Sequence, residues 1–147
     1  MKQVSNNFSI SGPINDEVII ALKARGVTKI VNVRPDYEEP GQKSTEQMAN
    51  KIRSHGIEYS YIPVKSNCYC EQDIAEFFSQ LAIGDDKVHA FCRTGTRAIH
   101  LWALANAQTE TLKYIESQCE KIDCNISSVK ELMQSIERER VWLGADI

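Results

Sequence analysis

The sequence predicts an α/β domain of three layers, in which a mostly parallel sheet of four to five strands is flanked by helices. Short, β-branched segments such as residues 28–33 (TKIVNV) alternate with amphipathic segments of helical length such as residues 71–83 (EQDIAEFFSQLAI). The chain has no repeat, low-complexity tract or linker, and its 147 residues fit one domain, predicted over residues 1–147.

The first strand is predicted at residues 7–11, where Gly12 and Pro13 then form a turn. Asn15 is a suitable N-cap for a helix that Gly26 ends. Residues 28–33 are β-branched and bounded on both sides, which is typical of a buried strand.

The middle of the chain predicts a second helix and a third strand. Ser44 and Gln47 have the spacing of a capping box, and Gly56 closes the helix that they begin. Residues 57–64 (IEYSYIPV) form the third strand, which Pro63 is expected to end.

The second half predicts one strand among helices. The strand is KVHAFC, residues 87–92, and Ser128 and Glu131 have the spacing of another capping box. Its helices are predicted at residues 71–83, 98–107, 111–122 and 126–140.

Composition and charge exclude several partners. A net charge of −3 and a pI near 5.6 argue against nucleic acid and acidic membranes, because both recruit basic surfaces. No apolar stretch approaches the roughly 20 residues of a membrane span. The N-terminal sequence lacks the apolar core of a signal peptide, so we expect a cytoplasmic protein.

The five cysteines predict neither a disulfide framework nor a metal site. Their number is odd, and a chain of this size does not need such a framework. Cys68 and Cys70 form a single C-x-C pair, whereas structural zinc usually draws on two pairs with wider spacing. We expect no metal and no cofactor.

Cys92 stands where the fourth strand ends and a helix begins. In α/β sheets ligands bind beyond the carboxyl ends of strands, where helix N-termini also point. The backbone N–H groups of residues 93–97 are expected to curl around the sulfur, with Gly95 supplying a positive φ or a close backbone approach. These groups and Arg97 would favour the thiolate, which is a nucleophile. The predicted anion-binding residues are Arg93, Thr94, Gly95, Thr96 and Arg97.

The alternative is that Cys92 is simply a packed core residue, as many cysteines are. Arg93 and Arg97 argue against it, because cations at a helix N-terminus oppose the helix dipole. Two arginines without a carboxylate in this turn are better explained by a bound anion.

The strand–CRTGTR–helix unit resembles the active-site loop of the protein tyrosine and dual-specificity phosphatases, and also that of the rhodanese sulfurtransferases. Beyond the loop, the chain resembles the bacterial domain of unknown function 442 (DUF442), a phosphatase-like domain also found fused to β-lactamase-like hydrolases. The resemblance runs from FSISGPIND through KIVNVRPDYEEP, YSYIPV and AEFFSQL to FCRTGTRAIHLWALA, roughly residues 8–105. It implies a cysteine-phosphatase-like fold with Cys92 as nucleophile and Arg97 as oxyanion ligand.

Three features depart from the phosphatase pattern. Only four residues separate Cys92 from Arg97, one fewer than in the phosphatases, and Phe91 replaces the His that precedes their Cys. The general acid of the dual-specificity phosphatases is an Asp soon after the strand that corresponds to YSYIPV. Ser66 or Asn67 stands there in this chain.

The nearest carboxylates to that position are Glu71 and Asp73, although Asp73 also suits the first turn of a helix. Arg34, which follows the strand at residues 28–33, is expected either to line the pocket or to pair with acidic neighbours. Those neighbours are Asp36, Glu38 and Glu39.

Three functions therefore remain open. As a phosphatase, Cys92 would attack a phosphate monoester of a small molecule or a phosphoprotein, with phosphate or sulfate able to occupy the loop. As a sulfurtransferase, Cys92 would carry a persulfide, which needs no general acid. As a non-catalytic anion-binding or redox module, Cys92 would pair reversibly with Cys68 or Cys70.

The histidines are predicted to be structural. His89 precedes Cys92 by three residues and should face the opposite side of the strand. His100 lies in a helix that is apolar on nearly all sides, which indicates a central, buried position.

Overall fold

The computed structural model describes residues 1–81 and 83–145, which form an α/β structure. Its strands are β1 (Lys2–Ser5), β2 (Phe8–Ser11), β3 (Lys29–Asn32), β4 (Glu58–Tyr61) and β5 (Val88–Phe91). Its helices are α1 (Asp16–Ala24), α2 (Thr45–Arg53), α3 (Glu71–Gln80), α4 (Thr96–Asn106), α5 (Leu112–Lys121) and α6 (Lys130–Ala145), with a 3₁₀ turn at Ser127–Val129.

The strands form one sheet in the order β1-β2-β5-β3-β4. β1 is antiparallel to β2, and every other neighbouring pair is parallel. Phe91, the last residue of β5, is level with Ser11 of β2 and Asn32 of β3. The segments that follow these strands therefore meet at one edge of the sheet, with the segment after β5 in the middle.

Helices cover both faces of the sheet, which confirms the predicted three layers and the mostly parallel sheet. One hydrophobic cluster joins α1 and α2 to the sheet, and the larger cluster lies beneath α3, α4 and the C-terminal helices. Helix α4 is buried continuously from Arg97 to Ala105, as its apolar sequence predicted. Phe8 of β2 stacks on Trp102 of this helix, with ring centroids 6.0 Å apart.

Two helix starts form as predicted from side-chain hydrogen bonding. The Val18 N–H donates to Asn15 Oδ1 at 3.0 Å, which caps α1. At α2, the Gln47 N–H donates to Ser44 Oγ at 3.2 Å and the Ser44 N–H donates to Gln47 Oε1 at 2.9 Å. This reciprocal pair satisfies N–H groups that have no partner inside a helix.

Two local predictions need correction. Strand β1 was not predicted, because Val4 is its only buried residue and so four residues carry no alternating pattern. Ser128 does not cap the last helix, which begins at Lys130. The Ser128 hydroxyl instead donates to Asn67 Oδ1 at 2.9 Å.

Among the described residues, none of the helices combines the length and the apolar character that crossing a membrane requires.

Candidate active site

The Cys92 loop, residues 92–97, connects the central strand β5 to the buried helix α4. Gly95 is the N-cap of α4 and has a φ of +90°, a left-handed conformation that residues with a side chain rarely adopt. The Cys92 N–H donates to the carbonyl of Ser11 at 3.3 Å, which ties the start of the loop to β2.

The sulfur of Cys92 lies inside this loop. The Gly95 N–H donates to Cys92 Sγ at 3.0 Å, as expected of a loop that curls around the thiol. Cys92 itself has 0% of its surface exposed. The thiol is thus held by the loop and covered in this conformation.

Arg97, in the first turn of α4, is anchored by two acceptors. Its Nη1 and Nη2 donate to the two carboxylate oxygens of Glu38 at 2.7 and 2.8 Å, and Nη1 also donates to the carbonyl of Val64 at 2.8 Å. The hydrogen bonds that Arg97 donates to Glu38 raise the pKa of Arg97, so this guanidinium stays charged. Its Nε makes no hydrogen bond to the described residues and remains available as a donor.

Glu38 and Glu39 join the arginines of the site into an alternating row of charges. Arg34 Nε donates to Glu38 Oε1 at 3.0 Å, and Arg93 Nε lies 2.8 Å from Glu39 Oε1. The hydrogen bonds from Arg97, followed by those from Arg34, lower the pKa of the Glu38 carboxyl. The order of the row is Arg97–Glu38–Arg34–Glu39–Arg93.

Arg34 is 6% exposed, and one of its nitrogens lacks an aligned acceptor. Arg34 Nη2 is buried and lies 3.2 Å from Glu39 Oε2, which satisfies the distance of an ion pair. The contact is not aligned as a hydrogen bond, and Nη2 has no other partner among the described residues. Of the two roles open to Arg34 from sequence, pairing with Glu38 and Glu39 is the one that the structure displays.

Sequence reasoning did not assign Glu38 to Arg97, because 59 residues separate them. The available signal was topological. The loop that holds Glu38 follows β3, and β3 lies beside β5 in the sheet. An acidic run after a neighbouring parallel strand is thereby brought to the Cys92 loop.

His89 of β5 is hydrogen-bonded to two serines of the neighbouring strand β2. Ser9 Oγ lies 2.7 Å from His89 Nδ1, Ser11 Oγ lies 2.8 Å from His89 Nε2, and the Ser11 hydroxyl donates to the Gly12 carbonyl at 2.8 Å. Because the Ser11 proton is used, Nε2 carries the imidazole proton and Nδ1 accepts from Ser9. Burial lowers the pKa of His89 to about 4, so the ring is neutral.

The carboxylates considered as general acids lie at the start of α3. Asp73 Oδ2 accepts the Cys70 N–H at 3.3 Å, and Glu71 is exposed in the first turn of the same helix. Neither forms a hydrogen bond to the Cys92 loop. Asn67, which with Ser66 was a candidate for the position of the missing Asp, has a φ of +58° in a turn.

His100 is satisfied within the core, as predicted. Its Nδ1 lies 2.8 Å from the hydroxyl of Tyr69, its Nε2 lies 3.4 Å from the Asn125 carbonyl, and it is 4% exposed. Burial raises the pKa of Tyr69 to about 12. The exposed thiols are those of Cys68 and Cys70, in the loop before α3.

A sequence model of the family described as "Beta-lactamase hydrolase-like protein, phosphatase-like domain" matches residues 1–109. The chain belongs to this family. The assignment confirms the resemblance noted in the sequence.

The Beta-lactamase hydrolase-like protein of Xylella fastidiosa is 34% identical over 102 residues, which are 69% of this chain and 24% of that protein. The corresponding protein of Agrobacterium fabrum is 34% identical over 105 residues, 71% of this chain and 24% of that protein. The chain thus spans about a quarter of the length of these relatives.

Solved structures share the fold of this phosphatase-like domain. A candidate phosphatase from Neisseria meningitidis superposes with a TM-score of 0.75 at 22% identity, covering 91% of this chain and 96% of that one. A DUF442 candidate phosphatase from Shewanella putrefaciens superposes with a TM-score of 0.71 at 20% identity, covering 95% of this chain and 91% of that one. The catalytic domain of the PP-IP phosphatase SIW14 from S. cerevisiae, in complex with citrate, superposes with a TM-score of 0.64 at 14% identity. The match covers 92% of this chain and 82% of that one.

Proposed function

We propose that this protein is a cysteine-dependent phosphatase that hydrolyses phosphate monoesters through a cysteinyl-phosphate on Cys92. The observation that carries the proposal is the Gly95 N–H directed at Cys92 Sγ from 3.0 Å, in a loop that opens a helix beside an anchored arginine. Family membership and the phosphatase fold support a hydrolase. The citrate bound by SIW14, a small anion, is in keeping with an anion-binding role.

In the first step, the Cys92 thiolate attacks phosphorus and the bond from phosphorus to the ester oxygen breaks. The amides of the Cys92 loop, Arg93 and Arg97 stabilise the phosphoryl oxygens, since donors placed in advance lower the energy of a developing anion. Water then attacks phosphorus, the sulfur–phosphorus bond breaks, and inorganic phosphate and the thiolate are released.

Arg97 is suited to this step because Glu38 occupies only one edge of its guanidinium. Glu38 binds Nη1 and Nη2, and the Val64 carbonyl also binds Nη1. Nε remains for a phosphoryl oxygen. Arg34 Nη2, buried without an aligned acceptor, is a second candidate donor, because buried polar atoms of this kind usually mark a partner such as an ion or water.

The leaving group needs little help if its oxygen is a weak base. Neither Asp73 nor Glu71 hydrogen-bonds to the Cys92 loop, so the leaving oxygen takes its proton from water. Aryl phosphates, whose leaving oxygen is the weaker base, depend least on that proton and are the appropriate first test substrates. Since the sulfur is covered, we also propose that Arg93 separates from Glu39 when substrate binds, while Glu38 stays on Arg97.

The test is phosphate release from p-nitrophenyl phosphate by the wild type, Cys92→Ser and Cys68→Ser. Cys68→Ser is the matched control, because Cys68 is an exposed thiol outside the Cys92 loop. We expect full activity in the control, none in Cys92→Ser, inhibition by vanadate, and a phosphoryl adduct on Cys92 after rapid acid quenching. An inactive wild type, or an active Cys92→Ser protein, would refute the proposal.

A second candidate is sulfur transfer, favoured by the length of the loop. With four residues between Cys92 and Arg97, the loop offers one N–H fewer than a phosphatase loop, and a persulfide sulfur carries no oxygens to hold. This activity predicts thiocyanate from thiosulfate and cyanide, with a persulfide on Cys92. A wild type that forms thiocyanate but releases no phosphate would establish this function in place of the first.

A further inference from the structure

A cavity of about 480 Å³ adjoins the Cys92 loop, and neither Glu38 nor Arg97 belongs to its lining. The loop itself supplies one wall through residues 94–96, and Gly12 continues that wall from the end of β2. The opposite wall is the segment from Asp123 to Ser128 between α5 and α6, with Asn67 beside it. The volume of the cavity falls within the range of roughly 300–1,000 Å³ typical of pockets for small molecules.

Seven neutral hydroxyl or amide side chains line this cavity, beside apolar ones that include Ile10, Ile99 and Cys124. Lys2 and Asp123 contribute one charge of each sign, so the lining carries little net charge. No Phe, Tyr or Trp belongs to the part of the lining that the structure describes. The hydroxyl and amide side chains are those of Ser11, Asn67, Thr94, Thr96, Asn125, Ser127 and Ser128.

Two asparagines of the lining are fixed by hydrogen bonds at Oδ1, while the Nδ2 group of each has no partner among the described residues. Asn67 Oδ1 accepts from the Ser128 hydroxyl at 2.9 Å, and Asn125 Oδ1 accepts from the Ser127 N–H at 2.8 Å. The Nδ2 groups of both asparagines and the hydroxyl of Ser127 form no hydrogen bond with any described residue. Donors fixed before binding lose less entropy when a ligand arrives.

We propose that this cavity binds the leaving group of a phosphorylated polyhydroxylated small molecule, such as a sugar phosphate or a cyclitol phosphate. The inference rests on the proposed phosphatase function, because it places the phosphoryl group in the Cys92 loop and the ring of hydroxyls in the cavity. Hydroxyl groups donate and accept, which matches the amide and hydroxyl lining. A phosphotyrosyl ring would find no aromatic wall to stack on.

Binding is measured on the Cys92→Ser protein, which cannot turn over, by calorimetry with glucose 6-phosphate, ethyl phosphate, phenyl phosphate and inorganic phosphate. Two additional hydrogen bonds of about 1 kcal/mol each give roughly a 30-fold preference for glucose 6-phosphate over ethyl phosphate. Equal affinity for these two compounds, or tighter binding of phenyl phosphate, would overturn the proposal.

Two further substitutions locate the preference. Ser127→Ala removes a hydroxyl that has no hydrogen-bond partner within residues 1–81 and 83–145, and Asn67→Gly removes the amide at a position where glycine accepts the φ of +58°. Each is expected to reduce the preference about fivefold and to leave the affinity for inorganic phosphate unchanged. Gln72→Ala, on the exposed surface of α3, is the matched control and keeps the preference. An undiminished preference in both cavity variants would place the ligand elsewhere.

The outcomes separate the two proposals. If the wild type hydrolyses aryl phosphates but shows no preference for glucose 6-phosphate, the cavity proposal fails and the phosphatase remains. If the cavity variants change binding but no ester is hydrolysed, the site stands and the phosphatase fails. If inorganic phosphate does not bind at all, both fail.

Discussion

Acidification from pH 7 to pH 5 is expected to destabilise this protein through His89. Burial is the main cause that lowers the pKa of His89 from its ordinary value of 6.5 to about 4, and the charges of the N-terminus and Arg25 add to it. Below pH 6.5 the unfolded chain therefore binds a proton that the folded protein refuses until about pH 4. Wherever the unfolded state binds more protons than the folded state, stability decreases as the pH falls.

The two pKa values give the size of the effect. Between pH 7 and pH 5, the linkage relation predicts a loss of about 2 kcal/mol in the free energy of unfolding from His89 alone. Burial also lowers the pKa of His100, which adds a loss of the same sign. The depressed pKa of Glu38 affects stability only at a lower pH. The stabilisation that this carboxylate contributes is lost as the pH falls below its ordinary pKa of 4.5.

Urea unfolding at pH 7, 6 and 5 measures this loss in the wild type and in His89→Gln. The substitution also disturbs the hydrogen bonds with Ser9 and Ser11, so the quantity compared is the change in stability with pH within each protein. We expect the variant to lose about 2 kcal/mol less than the wild type over this range. NMR should show neutral His89 in the folded protein at pH 5, with the proton on Nε2. An equal pH dependence in both proteins, or a protonated ring at pH 5, would refute the reasoning.

Three other substitutions test the site and its support. Glu38→Gln should lower kcat/KM for p-nitrophenyl phosphate about tenfold, because Arg97 loses its charged anchor and small misplacements are costly; unchanged or faster turnover in steady-state kinetics would contradict this role. Gly12→Ala should lower the free energy of unfolding in urea by about 1–3 kcal/mol and weaken vanadate binding, because the new Cβ would lie 3.0 Å from the Arg93 carbonyl oxygen. Wild-type values in both measurements would show that the Cys92 loop accommodates the added methyl group. Ser44→Ala should cost about 1 kcal/mol of stability through loss of the capping box while kinetics stay at the wild-type level, and a change in KM would show that α2 influences the site.

Much of the fold could be predicted because its signals are local. Asn15 and the Ser44–Gln47 pair contact backbone within the same helix turn, so the residues that form the contacts are adjacent in sequence. Strand order depends on contacts between distant segments and carries no such signature. The central place of β5 and the antiparallel β1 therefore emerge only from the structure.

The candidate site divides in the same way. Cys92, Gly95 and Arg97 belong to one short loop, and the residue types at that spacing indicated an anion-binding thiol. The groups that hold Arg97 come from two other strand ends, at Glu38 and at Val64. Sequence separation hid these partners, although the acidic run after β3 was visible.

The row of charges also suggests which arginine is free to meet a ligand. Arg97 and Arg34 are each 6% exposed and are held by Glu38, so moving either would strand buried charges, which is costly. The Arg93–Glu39 pair lies at the open end, with side chains 63% and 45% exposed. Exposed ion pairs contribute about 0–1 kcal/mol, so Arg93 can leave Glu39 at little cost. We therefore expect the row to open from the Arg93 end when a phosphoryl group enters, while Glu38 continues to hold Arg97 in place. In this order a phosphoryl group gains Arg93 as a donor without dismantling the buried part of the site.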